Sequence, residues 1–157
     1  MKQLYRALAY LIAAGVALQA AAIAYSVFAI FDWVARGGTI DKALIETENP
    51  EIGGITGFNL HQLMGVNIIP LLALLFLISS FFAKIRGGII WALIVFGATL
   101  MQSLLGIYSH ELAGLGWLHG VGALVLFSCA VTAGMRVKRA VRTTAPGVDS
   151  VSPTPVG

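Results

Sequence analysis

Two histidines, His61 and His119, each stand at the start of a long apolar run. Imidazole nitrogens bind transition metals, and an ionisable side chain at the head of a membrane-length apolar run is rare because its burial is costly. The third histidine, His110, lies beside Glu111 in a short polar segment, where it could bind zinc or copper, relay a proton or simply be solvated. The first two histidines predict a metal centre held from two sides.

Four apolar runs must position these histidines. The 157 residues are 58% hydrophobic and only 11% charged, with a mean hydropathy of +0.88, whereas a soluble domain carries about 25% charged residues. Each run is long enough to cross a hydrocarbon core of about 30 Å as a helix. We expect spans over about residues 8–33, 60–82, 88–107 and 116–135. The predicted fold class is all-α, an up-down-up-down four-helix transmembrane bundle.

Basic residues lie mostly on one side of these spans, which predicts the orientation of the bundle. Eight of the ten are Lys2, Arg6, Lys84, Arg86, Arg136, Lys138, Arg139 and Arg142. Arg36 and Lys42 lie on the other side, in an acidic loop. The positive-inside rule then places both termini of this multi-pass protein in the cytoplasm. We expect the membrane to be the bacterial cytoplasmic (inner) membrane. The expected partners are the lipid bilayer and either a second copy of the chain or a larger membrane complex, with no nucleic acid.

The two ends of the chain differ in character. The first apolar run imitates a signal peptide, but it exceeds the usual h-region of about 7–15 residues, so we expect a retained helix. Residues 1–135 form the predicted transmembrane domain, and residues 136–157 a basic juxtamembrane segment followed by a disordered cytoplasmic tail rich in Thr, Ser and Pro. Because Cys129 is the single cysteine, no intrachain disulfide is possible, and we expect its side chain to behave as a small, buried apolar residue.

Helices two and four of such a bundle are parallel and diagonal to each other, so His61 and His119 would face each other at one depth in the outer leaflet. Gly65 and Ala123 each follow a histidine by four residues and share its helix face. These small side chains leave room for a flat ligand, which favours haem b over a bare ion. Helix packing by small residues, and histidines that merely hydrogen-bond, are the alternative interpretations.

Two further residues are candidates for contacts with such a cofactor. Gln102, on the third helix, could hydrogen-bond the ligand or the second ring nitrogen of a histidine. Arg36 could neutralise haem propionates at the outer interface, or balance the acidic residues of its own loop. No Asp, Glu, Lys or Arg lies deep within a span, which argues against a transporter that works alone.

The histidine pair, the segment Met101-Gln102-Ser103-Leu104-Leu105-Gly106 and the pair Leu118-His119 resemble one four-helix half of haem A synthase. The resemblance covers about residues 5–135 and extends to small uncharacterised four-span bacterial proteins. It implies a haem ligated by His61 and His119. The family has an essential glutamate three residues before the first of these histidines, where this chain has Phe58. The family's cysteine pair and second half are also missing here.

These departures leave three functional hypotheses. The first is a membrane protein that binds one b-type haem between helices two and four, for electron transfer or haem handling, with no catalytic residue. The second is a non-catalytic accessory subunit of a larger respiratory or transport complex. The third is a compact haem A synthase-like oxygenase, whose missing carboxylate argues against enzymatic activity.

Overall fold

The structure, a computed structural model, describes residues 1–42 and 54–142, and side chains as far as residue 137. Four helices occupy these ranges: α1 (Lys2–Ala35), α2 (Ile55–Ala83), α3 (Gly88–Tyr108) and α4 (Leu115–Arg142). No strand occurs in the described part of the chain. All four helices are long and apolar enough to cross a membrane. The all-α class and the four membrane-length helices are thus confirmed.

The helices extend beyond the predicted apolar spans. α2 begins at Ile55 rather than near residue 60, so His61 lies in its second turn instead of its first. α4 continues through the basic segment to Arg142. Hydropathy marks the part of a helix that suits the hydrocarbon core, and the helix itself runs on into polar flanks. The predicted disordered tail and most of the acidic loop lie outside the described residues.

The four helices form a square. α1 packs against α2 and α4, and α3 packs against the same two helices. Among the described residues, neither diagonal pair, α1 with α3 or α2 with α4, is in backbone contact. Residues 84–87 connect α2 to α3, and Lys84 (φ +51°) and Gly87 (φ +72°) both adopt the left-handed conformation. That conformation costs a glycine little, and it reverses the chain within a few residues.

Aromatic contacts close one end of the square. The rings of Tyr5 and Phe76 have centroids 4.4 Å apart, and the Tyr5 hydroxyl donates a hydrogen bond of 3.1 Å to the carbonyl of Gly88. The Arg136 guanidinium lies 5.3 Å from the ring centroid of Trp91. These contacts bring together the start of α1, the end of α2, the start of α3 and the last turns of α4.

Tight helix packing closes the opposite end of the α1–α2 pair. The hydroxyl of Ser26, which is fully buried, donates a hydrogen bond of 2.6 Å to the carbonyl of Gly54. Gly57 lies so close to Ser26 and to the carbonyl of Ala22 that no Cβ would fit there. Small residues at this spacing let the backbones of two apolar helices approach closely.

A π-helical segment, Met64–Ile68, interrupts α2 just after His61. The amide of Ile69 donates to the carbonyl of Met64, five residues earlier. The corresponding donor for the carbonyl of Gly65 would be Pro70, which has no N–H. Ser103 of α3 supplies the missing donor, with its Oγ 2.8 Å from that carbonyl. The helix around Pro70 therefore contains a wide turn, and a neighbouring helix supplies the hydrogen bond that proline cannot donate.

Candidate functional site

His61 of α2 and His119 of α4 meet across the axis of the square. Their ring centroids are 6.0 Å apart, and the ring planes are inclined by 70°. Both side chains are half-buried. The backbones of α2 and α4 do not touch, so the two rings approach each other across a diagonal of the square. The structure thus brings together the two histidines that the sequence analysis paired.

Each histidine ring is oriented by a backbone carbonyl of a neighbouring helix. Nδ1 of His61 lies 3.4 Å from the carbonyl oxygen of Gln19 on α1, and Nδ1 of His119 lies 3.1 Å from that of Gln102 on α3. A carbonyl oxygen can only accept a hydrogen bond, so each neutral imidazole carries its proton on Nδ1. The lone pair then remains on Nε2, which is the atom free to bind a metal.

The same local arrangement occurs twice in the chain. In each helical hairpin, a glutamine of the first helix contacts the histidine of the second through its backbone carbonyl. The side chain of the same glutamine covers a glycine that follows the histidine. A Cβ on Gly65 would lie 3.1 Å from Oε1 of Gln19, and one on Gly122 would collide with Oε1 of Gln102. Gly65 and Gly122 therefore accommodate the side-chain amides of Gln19 and Gln102.

His119 is held more firmly than His61. Nε2 of Gln102 donates a hydrogen bond of 2.8 Å to the backbone carbonyl of His119. Gly106 lies against the imidazole, where an added Cβ would be 3.2 Å from Cε1. Oε1 of Gln102 is buried without a hydrogen-bond partner among the described residues. We expected the Gln102 side chain to reach a ligand or a ring nitrogen, but it is the backbone carbonyl of Gln102 that faces Nδ1.

The remaining predicted residues lie at different distances from the pair. Ala123, half-buried on α4, adjoins Gly122 beside the Gln102 contact. Arg36 forms an ion pair with Asp32 on its own helix. At 1.5 Å per residue, Arg36 lies about 25 Å further along α1 than Gln19 does, so the structure does not bring it to the histidines. His110 is exposed in the connection between α3 and α4.

Gln19 is the residue that the sequence analysis left out of the site. It is the one amide side chain of the first apolar run, and the run carries it near its middle. The third run likewise contains a single glutamine, Gln102, and this parallel was the available signal. Within the described ranges, no group of three or more His, Cys, Asp or Glu side chains is placed to hold a metal ion. The candidate site is therefore a histidine pair supported by two glutamines.

Comparison with known proteins adds no relative to this description. No family model, curated protein sequence or solved structure matches the chain. The likeness to haem A synthase accordingly remains one of short motifs, and the chemistry of the site rests on the side chains around His61 and His119.

Proposed function

We propose that this chain is an integral membrane protein that binds one b-type haem through the Nε2 atoms of His61 and His119. The observation that carries the proposal is the histidine pair itself, in which each Nδ1 is hydrogen-bonded to a backbone carbonyl. A metal-ligating histidine characteristically donates its other ring N–H to a carbonyl or carboxylate, which fixes the tautomer and the ring orientation.

The residues present fit the requirements of a haem. A metal–nitrogen bond of about 2 Å on either side of an iron places the centres of two axial imidazoles roughly 6 Å apart, and the observed separation is 6.0 Å. Two protein ligands are sufficient, because the macrocycle supplies the other four. α1 and α3, which are not in backbone contact with each other, stand on either side of the line joining the rings.

The chemistry that a haem supplies is one-electron transfer, with its potential set by the axial ligands and their hydrogen bonds. In this chain, the backbone carbonyls of Gln19 and Gln102 orient the two imidazoles, and the half-buried position of the rings limits access of water. With both His61 and His119 holding the iron, no coordination position would remain open for oxygen. The arrangement therefore favours electron transfer or haem handling over oxygen chemistry.

The membrane placement that accompanies this function is part of the proposal. The four helices alternate in direction, both termini lie in the cytoplasm, and the histidines lie nearer the outer face of the bacterial inner membrane. The distribution of basic residues supports this orientation.

A reduced-minus-oxidised visible spectrum of the protein, purified in mild detergent from haem-supplemented cells, tests the proposal. We expect a low-spin b-type signal at close to one haem per chain. His61→Ala and His119→Ala should each abolish it, whereas His110→Ala, which alters an exposed loop histidine, should leave it intact. A well-folded protein without haem, or an unchanged spectrum in both site variants, would refute the proposal.

The second candidate function is that of a non-catalytic accessory subunit. The observation in its favour is that the same contacts, including the 2.8 Å bonds of Gln102 and Ser103, join helices without any cofactor. This alternative predicts a haem-free protein that co-purifies with a large membrane complex. Isolation as a haem-loaded monomer or homodimer in mild detergent would exclude it.

A further inference from the structure

Asn67 places a primary amide on the outward side of α2, near the middle of the span Ile55–Ala83. Its Nδ2 donates a long hydrogen bond of 3.4 Å to the carbonyl of Leu63 in the same helix. Among the described residues, no other hydrogen bond is made by this side chain. In a hydrocarbon core, an amide with one N–H and its carbonyl unpaired is costly because no water is present to satisfy them.

Apolar side chains continue this outward side in both directions. Leu63, Leu71, Ile78 and Phe82 are between 48% and 61% exposed. Their spacing, with the wide π-helical turn around residue 67, aligns them with Asn67 on one face, which we call the Asn67 ridge. The opposite side of α2 packs into the core of the bundle. The ridge is therefore a continuous apolar surface with one polar group at its centre.

Ser128 of α4 provides a contrast within the same molecule. It too is an exposed polar side chain in the central part of a span. Its hydroxyl donates a hydrogen bond of 2.8 Å to the carbonyl of Leu124, which satisfies its donor within its own helix. An exposed hydroxyl of this kind is compatible with lipid, whereas the amide of Asn67 requires an external partner.

We propose that the Asn67 ridge is the contact surface of a parallel homodimer, in which the Asn67 amides of the two copies hydrogen-bond to each other. Two copies inserted in the same orientation are related by a two-fold axis along the membrane normal. Such an axis brings each residue of the ridge opposite the same residue, at the same depth. An amide both donates and accepts, so Asn67 is complementary to itself.

A second copy is the occupant that this geometry favours. A different membrane protein would need a polar group at the depth of Asn67 and an apolar surface matching the ridge, whereas symmetry supplies both to a second copy. A single asparagine in an apolar helix–helix interface sets register and favours pairing of helices. The leucines above and below it then pack against their counterparts.

Association in a bilayer tests the dimer. Full-length protein labelled separately with donor and acceptor dyes, in phosphatidylcholine vesicles, should show energy transfer that rises with the protein-to-lipid ratio. Asn67→Leu should weaken association about tenfold, as expected for loss of an interhelical amide pair in a membrane. Ser128→Ala is the matched control and should associate like the parent chain. Equal association of the Asn67→Leu variant and the parent would overturn the proposal.

Cysteine cross-linking tests the geometry without depending on affinity. In a Cys129→Ala background that keeps Asn67, Leu71→Cys and Ile78→Cys should form disulfide-linked dimers on oxidation, because the two-fold axis brings each cysteine to its counterpart. Leu124→Cys, 70% exposed on α4, should not. Cross-linking of Leu71→Cys to a different protein, or no more dimer than with Leu124→Cys, would contradict a homodimer. Haem content should be the same in all three, because none contacts the histidines.

Discussion

Gly122 lies directly against the side-chain carbonyl of Gln102, and that contact decides which substitutions the His119 side of the site tolerates. Gly120, two residues earlier on α4, has open space where a Cβ would stand. The two glycines share a helix and a helical conformation, so they differ mainly in what surrounds them. Their substitution by alanine therefore separates the effect of packing from the effect of helix propensity.

We predict that Gly122→Ala lowers the free energy of unfolding by about 1–3 kcal/mol, the usual cost of overpacking an interface. Gly120→Ala should be neutral or slightly stabilising, because alanine favours a helix over glycine. Thermal unfolding of both variants in mild detergent, followed by circular dichroism, measures the difference. A Gly122→Ala variant as stable as Gly120→Ala would show that Gln102 can move aside without loss.

At this scale, the sequence pointed to the histidine pair and to Gln102 but not to Gln19. The sequence shows the type of each residue and its position within an apolar run. Which atom of Gln102 contacts His119 depends on the rotation of α3 about its axis, and that rotation is set by packing against α2 and α4. The same dependence explains why Arg36, plausible by charge alone, lies far along α1 from the pair.

The π-helical segment of α2 links the position of His61 to the two neighbouring helices, α1 and α3. The carbonyl of Gly65, which has no backbone donor within α2, accepts a hydrogen bond from the hydroxyl of Ser103. Gly65 is also the glycine that the side chain of Gln19 covers. One residue of α2 therefore contacts both α1 and α3. A change in the wide turn would alter the positions of both neighbouring helices relative to His61.

We predict that Ser103→Ala destabilises the bundle by about 1–2 kcal/mol, because the Gly65 carbonyl loses its donor where little water is present. Ser128→Ala removes a hydroxyl that bonds only within its own helix, and it should change stability by less than about 0.5 kcal/mol. Chemical or thermal unfolding of the two variants in the same detergent gives the comparison. Equal stabilities would mean that another donor replaces Ser103.

Hydropathy predicted the number and order of the helices, because each membrane-length apolar run is long and unbroken. It did not predict the extension of α2 back to Ile55, since Thr56, Gly57 and Asn59 interrupt the apolar pattern there and the packing of Gly57 on Ser26 is a tertiary contact. A proline within a helix disturbs the hydrogen bonding of the preceding turn, as Pro70 does in α2. The form of that disturbance depends on Ser103, which belongs to another helix.

For the whole molecule, the testable property is its orientation. We predict that a cysteine replacing Thr39, in the segment after α1, reacts with a membrane-impermeant maleimide added to intact spheroplasts. A cysteine replacing Arg86, in the turn between α2 and α3, should react only after the membrane is opened. Both variants carry Cys129→Ala to remove background labelling. Labelling of the two positions in the reverse order would invert the orientation derived from the basic residues.

The repeated contact between a glutamine and the following histidine has a consequence for biosynthesis. Gln19 and His61 belong to the first hairpin, so the anchor of His61 can form as soon as α1 and α2 have left the ribosome and entered the bilayer. His119 and its anchor Gln102 follow with the second hairpin. The two imidazoles meet only when the last helix is in place. The two half-sites are therefore completed in succession, and a ligand held by both histidines would bind only after the last helix is in place.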